Sequence, residues 1–122
     1  MDPTAAYRES SITARSKEQL IVMLYDGAIK FLRQAIIAME NQDYEQKGKL
    51  LVKAMDIIDE LDCCLDMELG GEVAENLRRL YDFMRRHLTE ANIKLDAHRI
   101  RDVIACLDDL NEGWKAIAGQ GG

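Results

Sequence analysis

Few residues in this chain could do covalent or metal chemistry: two histidines, His87 and His98, and three cysteines, Cys63, Cys64 and Cys106. A di-iron carboxylate centre in a helical protein needs Glu-x-x-His on two helices, so that both side chains project inward. The residues three before the histidines are Met84 and Leu95, so neither helix supplies the pair. The cysteines have no metal-ligand spacing, and an odd count with an adjacent pair makes a poor disulfide framework. They read as buried or half-buried thiols in a reducing cytosol. Cysteine–histidine nucleophilic chemistry needs a third group to orient the base; His98 instead sits beside Asp96 at a helix start. With no strands, no glycine-rich loop can cradle phosphate between strand and helix. Gly70-Gly71 reads as a turn. The expectation is no metal, no cofactor, no catalytic residue and no enzyme.

Two further groupings bear on binding. "RR" at 78–79 and "RRH" at 85–87 share one helical face, interleaved with Glu75, Asp82 and Glu90. This is either a solvated face or a docking patch for an acidic partner. In "IVMLYDGAIKFL", residues 21–32, Tyr25, Asp26 and Gly27 interrupt an apolar run. A glycine inside a helix costs about 1 kcal/mol relative to alanine. Gly27 shares the inward line of Leu24 and Phe31, where a missing side chain lets a neighbouring helix approach. Asp26 faces away and is expected to anchor the leader or a neighbouring helix by hydrogen bonding.

The elements that must position these residues are helical. The 122 residues make one domain. Four segments carry the 3.6-residue apolar period and none alternates like a strand. The first, about 17–40, opens on a capping box at Ser16 and Gln19. Leu20, Leu24, Gly27, Ala28, Phe31, Ala35 and Ala38 form one line, with Ile21, Tyr25, Leu32, Ile36 and Met39 beside it. Asp43 and Gln46 open a second helix, about 44–66. The third, about 72–93, buries Val73, Leu77, Leu80, Met84, Leu88 and Ala91, with Tyr81 on its shoulder. Asp96 caps a fourth, about 97–117, with Ile100, Val103, Ile104, Leu107, Leu110, Trp114 and Ile117 inward. Short connections make neighbours antiparallel, giving an all-α, up-down four-helix bundle over 17–117. Residues 1–16 form a mobile N-terminal leader and 118–122 a disordered tail.

The formal net charge of −6 argues against duplex nucleic acid, whose binding depends on neutralising phosphate. No apolar run reaches the roughly 18 residues of a membrane span, and no secretory signal is present. The first two helices and the six methionines carry more apolar surface than a minimal core needs. That surface is either a well-filled core or a groove for a peptide. A self-associating structural or regulatory bundle would use the same surface.

Three motifs go further. "AYRESSITARSKEQLIVMLYDGAIKFLRQA", "GGEVAENLRRLYDFMRRHLTEANIKLD" and "EGWKAI" resemble, in order and spacing, the flagellin-specific export chaperones (FliS), over residues 6 to about 117. Lys17 stands where that family often has proline, and His87 where a second arginine is common. The resemblance implies a cytoplasmic, non-enzymatic chaperone that binds the disordered C-terminal segment of flagellin. It would block premature polymerisation and present its client to flagellar export-gate components. A client that folds on binding must bury a large apolar area. On that basis the expected contacts are Tyr25, Ile57, Ile58, Leu61, Leu65, Leu80, Tyr81, Met84, Leu88 and Ile93 on the apolar shoulders. The leader, through Tyr7 and Ile12, is then either a displaceable lid or simply disordered.

Overall fold

The computed structural model describes residues 17–65 and 67–120, and within them it contains four helices and no strand. They are α1 (Lys17–Glu40), α2 (Tyr44–Cys63), α3 (Met67–Lys94) and α4 (Ala97–Gln120). The leader, with Ser16, Tyr7 and Ile12, lies outside the described residues. Helix α1 packs on α2 and α4, and α3 closes the ring against the same two helices. The α1 seams are the closer ones; α3 is held more loosely.

The expected starts at Asp43 and Asp96 are met by caps. Asp43 Oδ1 accepts from the Gln46 amide at 3.2 Å, and Asp96 Oδ1 from the His98 amide at 3.0 Å. Each bond satisfies a donor that the first helical turn leaves free. Both tight connections end on a residue in the left-handed region, Gln42 (φ 59°) and Leu95 (φ 54°). The next amides reach back, Asp43 N to Ala38 O at 2.8 Å and Asp96 N to Ala91 O at 3.0 Å. These are Schellman-type closures, built here without the usual glycine.

Three boundaries differ from the sequence expectation. Helix α2 stops at Cys63, where Leu65 N bonds Asp62 O at 3.2 Å and tightens the chain into a turn. Leu65 continues the apolar pattern because it packs on the core from the connection, not from a helix. Helix α3 is broken at Gly71 (φ 52°, ψ −125°), so the predicted Gly70-Gly71 punctuation falls inside the assigned helix as a kink. Helix α4 runs through Gln120, past the end expected near residue 117.

The core is one cluster drawn from all four helices, with Tyr25, Leu32, Leu51, Ile58, Met84, Leu88, Ile100 and Leu107 fully enclosed. Two expected core residues are not in it. Val73 is 67 % exposed and Ile117 49 % exposed, both towards the end of the bundle where α1 begins. Two polar residues are buried in their place. Lys47 sends Nζ to the Asn92 carbonyl at 3.2 Å, capping the C-terminus of α3. Asn111 donates to Asp26 Oδ1 at 2.8 Å, while its own Oδ1 has no partner. Asp26 thus anchors a neighbouring helix, α4, as its position suggested.

Candidate functional site

At one end of the bundle the start of α1, the end of α2, the start of α3 and the end of α4 converge. They enclose a cavity of about 230 Å³. Its walls are Ile21 of α1, Leu61 of α2, Ala74, Leu77 and Tyr81 of α3, and Trp114 of α4, with Leu65 and Cys64 beyond α2. Lys17, Glu18 and Val73 stand at its edge. The opening arises from the kink. Gly71 turns the chain so that Gly70 lies against Ala74, where a Cβ on Gly70 would come within 2.7 Å of the Ala74 Cβ. The volume falls below the roughly 300–1,000 Å³ of small-molecule sites. It suits a few apolar side chains of a larger partner.

The cavity wall carries a buried polar pair. Tyr81, on its wall, is hydrogen-bonded through its hydroxyl to the Tyr25 hydroxyl at 2.6 Å. Burial pushes the Tyr25 phenol above its ordinary value, partly offset by its bonds to Tyr81 and Trp114. Burial, then the bond to Tyr25, pushes Tyr81 up as well. Both therefore hold their protons at neutral pH. The Trp114 ring packs 6.5 Å from Tyr25, centroid to centroid, and closes the pair from the α4 side.

Of the residues expected to contact a client, the structure brings Leu61, Leu65 and Tyr81 together on the cavity wall, with Tyr25 directly behind Tyr81. Ile58, Met84 and Leu88 are corrected to core: all three are 0 % exposed, because their stripe points at the bundle axis. Tyr25, also 0 % exposed, is no surface shoulder either. Ile57 and Leu80 are half-buried outside the cavity. Ile93 is 75 % exposed but lies twenty residues along α3 from Val73, roughly 30 Å away at 1.5 Å per residue. Sequence reasoning missed Ile21, Ala74, Leu77 and Trp114 as site residues. The spacing of Ile21, Leu77 and Trp114 reads as core, and no local pattern shows that they border an opening.

The basic cluster divides by role. Arg78 Nε bonds Asp62 at 3.0 Å; Arg85 bonds Asp59 at 3.0 Å, Asp62 at 3.2 Å and also Asp82. The desolvation that would lower the Arg85 pKa is outweighed by Asp82 and Asp62, which raise it. His87 Nε2 meets Asp102 of α4 at 3.1 Å while its ring stacks on Phe83. These groups brace α3 to both neighbours, whereas Arg79 and Arg86 of the same cluster are exposed. Gly27 also has a defined neighbour: a Cβ there would sit 3.4 Å from Ile57 Cδ1, an ordinary contact. Among the described residues no helix is long and apolar enough to cross a membrane.

The family model described as "Flagellar protein FliS" matches residues 1–121. The chain is 45 % identical over 111 residues to the flagellar secretion chaperone FliS of Salmonella typhimurium, covering 90 % of this chain and 82 % of that one. It is 37 % identical over 114 residues to the Bacillus subtilis chaperone of the same name, covering 93 % and 84 %. A solved structure titled "Crystal structure of flagellar chaperone from bacteria" superposes with a TM-score of 0.79 at 18 % identity, covering 86 % of this chain and 85 % of that chain. That likeness supports the four-helix fold, and the family match and the curated relatives agree with the sequence motifs. This chain belongs to the FliS family of flagellar secretion chaperones.

Proposed function

We propose that this protein is a cytoplasmic export chaperone that holds the C-terminal segment of flagellin, inserting its apolar side chains into the cavity between α1, α2, α3 and α4. The observation that carries this reading is an open apolar cavity at one end of a bundle whose relatives are named flagellar secretion chaperones. A disordered client loses ordering entropy on binding, so it needs buried apolar area to offset that loss. Leu65, Val73, Leu77 and Trp114 supply it. Held this way, the segment is kept from polymerising and can be handed to the flagellar export gate. Lys17 lies on the cavity edge, and Tyr7 and Ile12 of the leader are read as a displaceable lid.

Titrating the protein with a synthetic flagellin C-terminal peptide tests the reading: saturable heat and a raised melting temperature are expected. Absence of both sinks it. Val73→Asp leaves the core alone and is expected to weaken binding at least tenfold, since full burial of such a side chain is worth about 1.5–3 kcal/mol. The Tyr7→Ala, Ile12→Ala double variant is expected to bind more tightly; unchanged affinity would remove the lid. Sedimentation over a concentration series separates the chaperone from a self-associating bundle, which would form a tight dimer without client.

A further inference from the structure

Tyr25 and Tyr81 are 0 % and 1 % exposed, and their hydroxyl oxygens lie 2.6 Å apart. A phenol has one proton to donate and lone pairs to accept. A bond between two phenols uses one proton, whichever ring supplies it. The second proton meets no acceptor among the described residues. Buried donors are almost always satisfied by protein, water or ligand. Tyr81 is the member of the pair on the cavity wall, and Tyr25 sits behind it against Trp114. Their positions assign the direction: Tyr25 donates to Tyr81, and Tyr81 keeps its proton for the cavity.

Resting on the reading that the cavity takes client side chains, we infer that Tyr81 donates a hydrogen bond to one neutral acceptor on the bound segment. That acceptor is a side-chain amide or hydroxyl oxygen set among apolar neighbours, and Tyr25 is the positioning residue that fixes the donor. A carboxylate fits poorly. Lys17 and Glu18 on the cavity edge cancel, and Asp62 lies near enough to Tyr81 to disfavour further negative charge. A buried carboxylate would also lose far more solvation than an amide. Because Tyr81 accepts from Tyr25 while donating outward, the chain of two bonds strengthens the second. The apolar walls cannot distinguish two segments of the same hydrophobic pattern. The phenol can, because a segment out of register leaves the donor and its own acceptor unpaired.

The test is calorimetric titration of the full chain with a synthetic flagellin C-terminal peptide. It compares the unchanged protein with Tyr81→Phe, Tyr25→Phe and the double variant, against peptides with each Asn, Gln, Ser and Thr replaced in turn by an apolar residue. Tyr81→Phe is expected to weaken binding about three- to tenfold, the range of a single net hydrogen bond. One peptide replacement should weaken the unchanged protein equally, and the two losses should not add. Tyr25→Phe should give a smaller loss, coupled to the same peptide position. The double variant removes both polar groups while keeping their shape; its melting temperature, near that of the unchanged protein, separates folding from binding. Equal affinity for the unchanged protein and Tyr81→Phe overturns the inference and leaves the cavity reading standing. So do losses that add at every position, which would mean that water alone takes the proton. A peptide that fails to bind the unchanged protein overturns the reading and the inference together.

Discussion

The buried phenol pair makes stability and recognition share two residues. Removing one hydroxyl leaves the other without its partner in an apolar surround, costing about 1–3 kcal/mol. Removing both leaves neither phenol unpaired, and the half-buried Trp114 N–H gives up its bond to Tyr25. Tyr25→Phe and Tyr81→Phe are therefore each expected to lower stability in urea unfolding, and the double variant to recover most of the loss. Gly27 separates packing from propensity. Its missing Cβ would sit 3.4 Å from the tip of the Ile57 side chain, so a methyl fits and a larger group does not. Gly27→Ala is expected to stabilise by up to about 1 kcal/mol through helix propensity. Gly27→Leu is expected to destabilise; chemical denaturation distinguishes the two. The close-packing role inferred for this glycine thus reduces to a size limit.

The connections matter at the scale of the elements. Gln42 ends α1 in the left-handed region, which disfavours a side chain. Gln42→Gly is expected to raise stability by roughly 0.5–1 kcal/mol, measured by thermal melting, with the Schellman bonds unchanged. Gly71 is the opposite case. At φ 52° and ψ −125° no other residue is comfortable, so Gly71→Ala should cost about 1–3 kcal/mol. It should also reshape the cavity, because the kink creates it. The α3–α4 turn carries the acid sensitivity. Desolvation alone would raise the Asp96 pKa, but its bonds from the Arg99 and His98 amides and the Arg99 side chain lower it. A carboxyl with a depressed folded pKa stabilises above its unfolded value, near 3.9, and loses that contribution as pH falls through the folded one. Asp96→Asn keeps a capping oxygen. It is expected to flatten the fall of melting temperature between about pH 5 and pH 2.

Seen as a whole, the bundle is unevenly bound. Helix α1 is sealed to α2 and α4 by a wide apolar surface. Helix α3 is packed more loosely and relies on the Arg78 and Arg85 pairs to α2 and on His87 with Asp102. Such partly exposed pairs are screened by salt. Amide hydrogen exchange is expected to be faster in α3 than in α1, with the gap widening as salt is added. Equal protection of the two helices would contradict this. The looser helix is also the one whose kinked start borders the cavity, so the cavity lies beside the part of the molecule least expensive to move.

The four helices, their order and two of their caps were legible in the residues, because the apolar period and the aspartates before α2 and α4 act over a few neighbours. The family was legible too, since motifs such as "MLYDGA" and "NLRRLYDFM" survive as local strings. The site was legible only in part. Leu61, Leu65 and Tyr81 were within reach, whereas Met84 and Leu88, placed on the buried stripe, were also offered as contacts, and Leu77 and Trp114 were taken for core alone. A stripe of apolar residues does not say which members meet another helix and which meet an opening. That depends on where a kink at Gly71 leaves the third helix. The Tyr25–Tyr81 bond lies beyond local pattern for the same reason, since it joins residues 56 positions apart. Local periodicity set the helices; the packing of four of them around one kink set the cavity and placed the phenol pair on its wall.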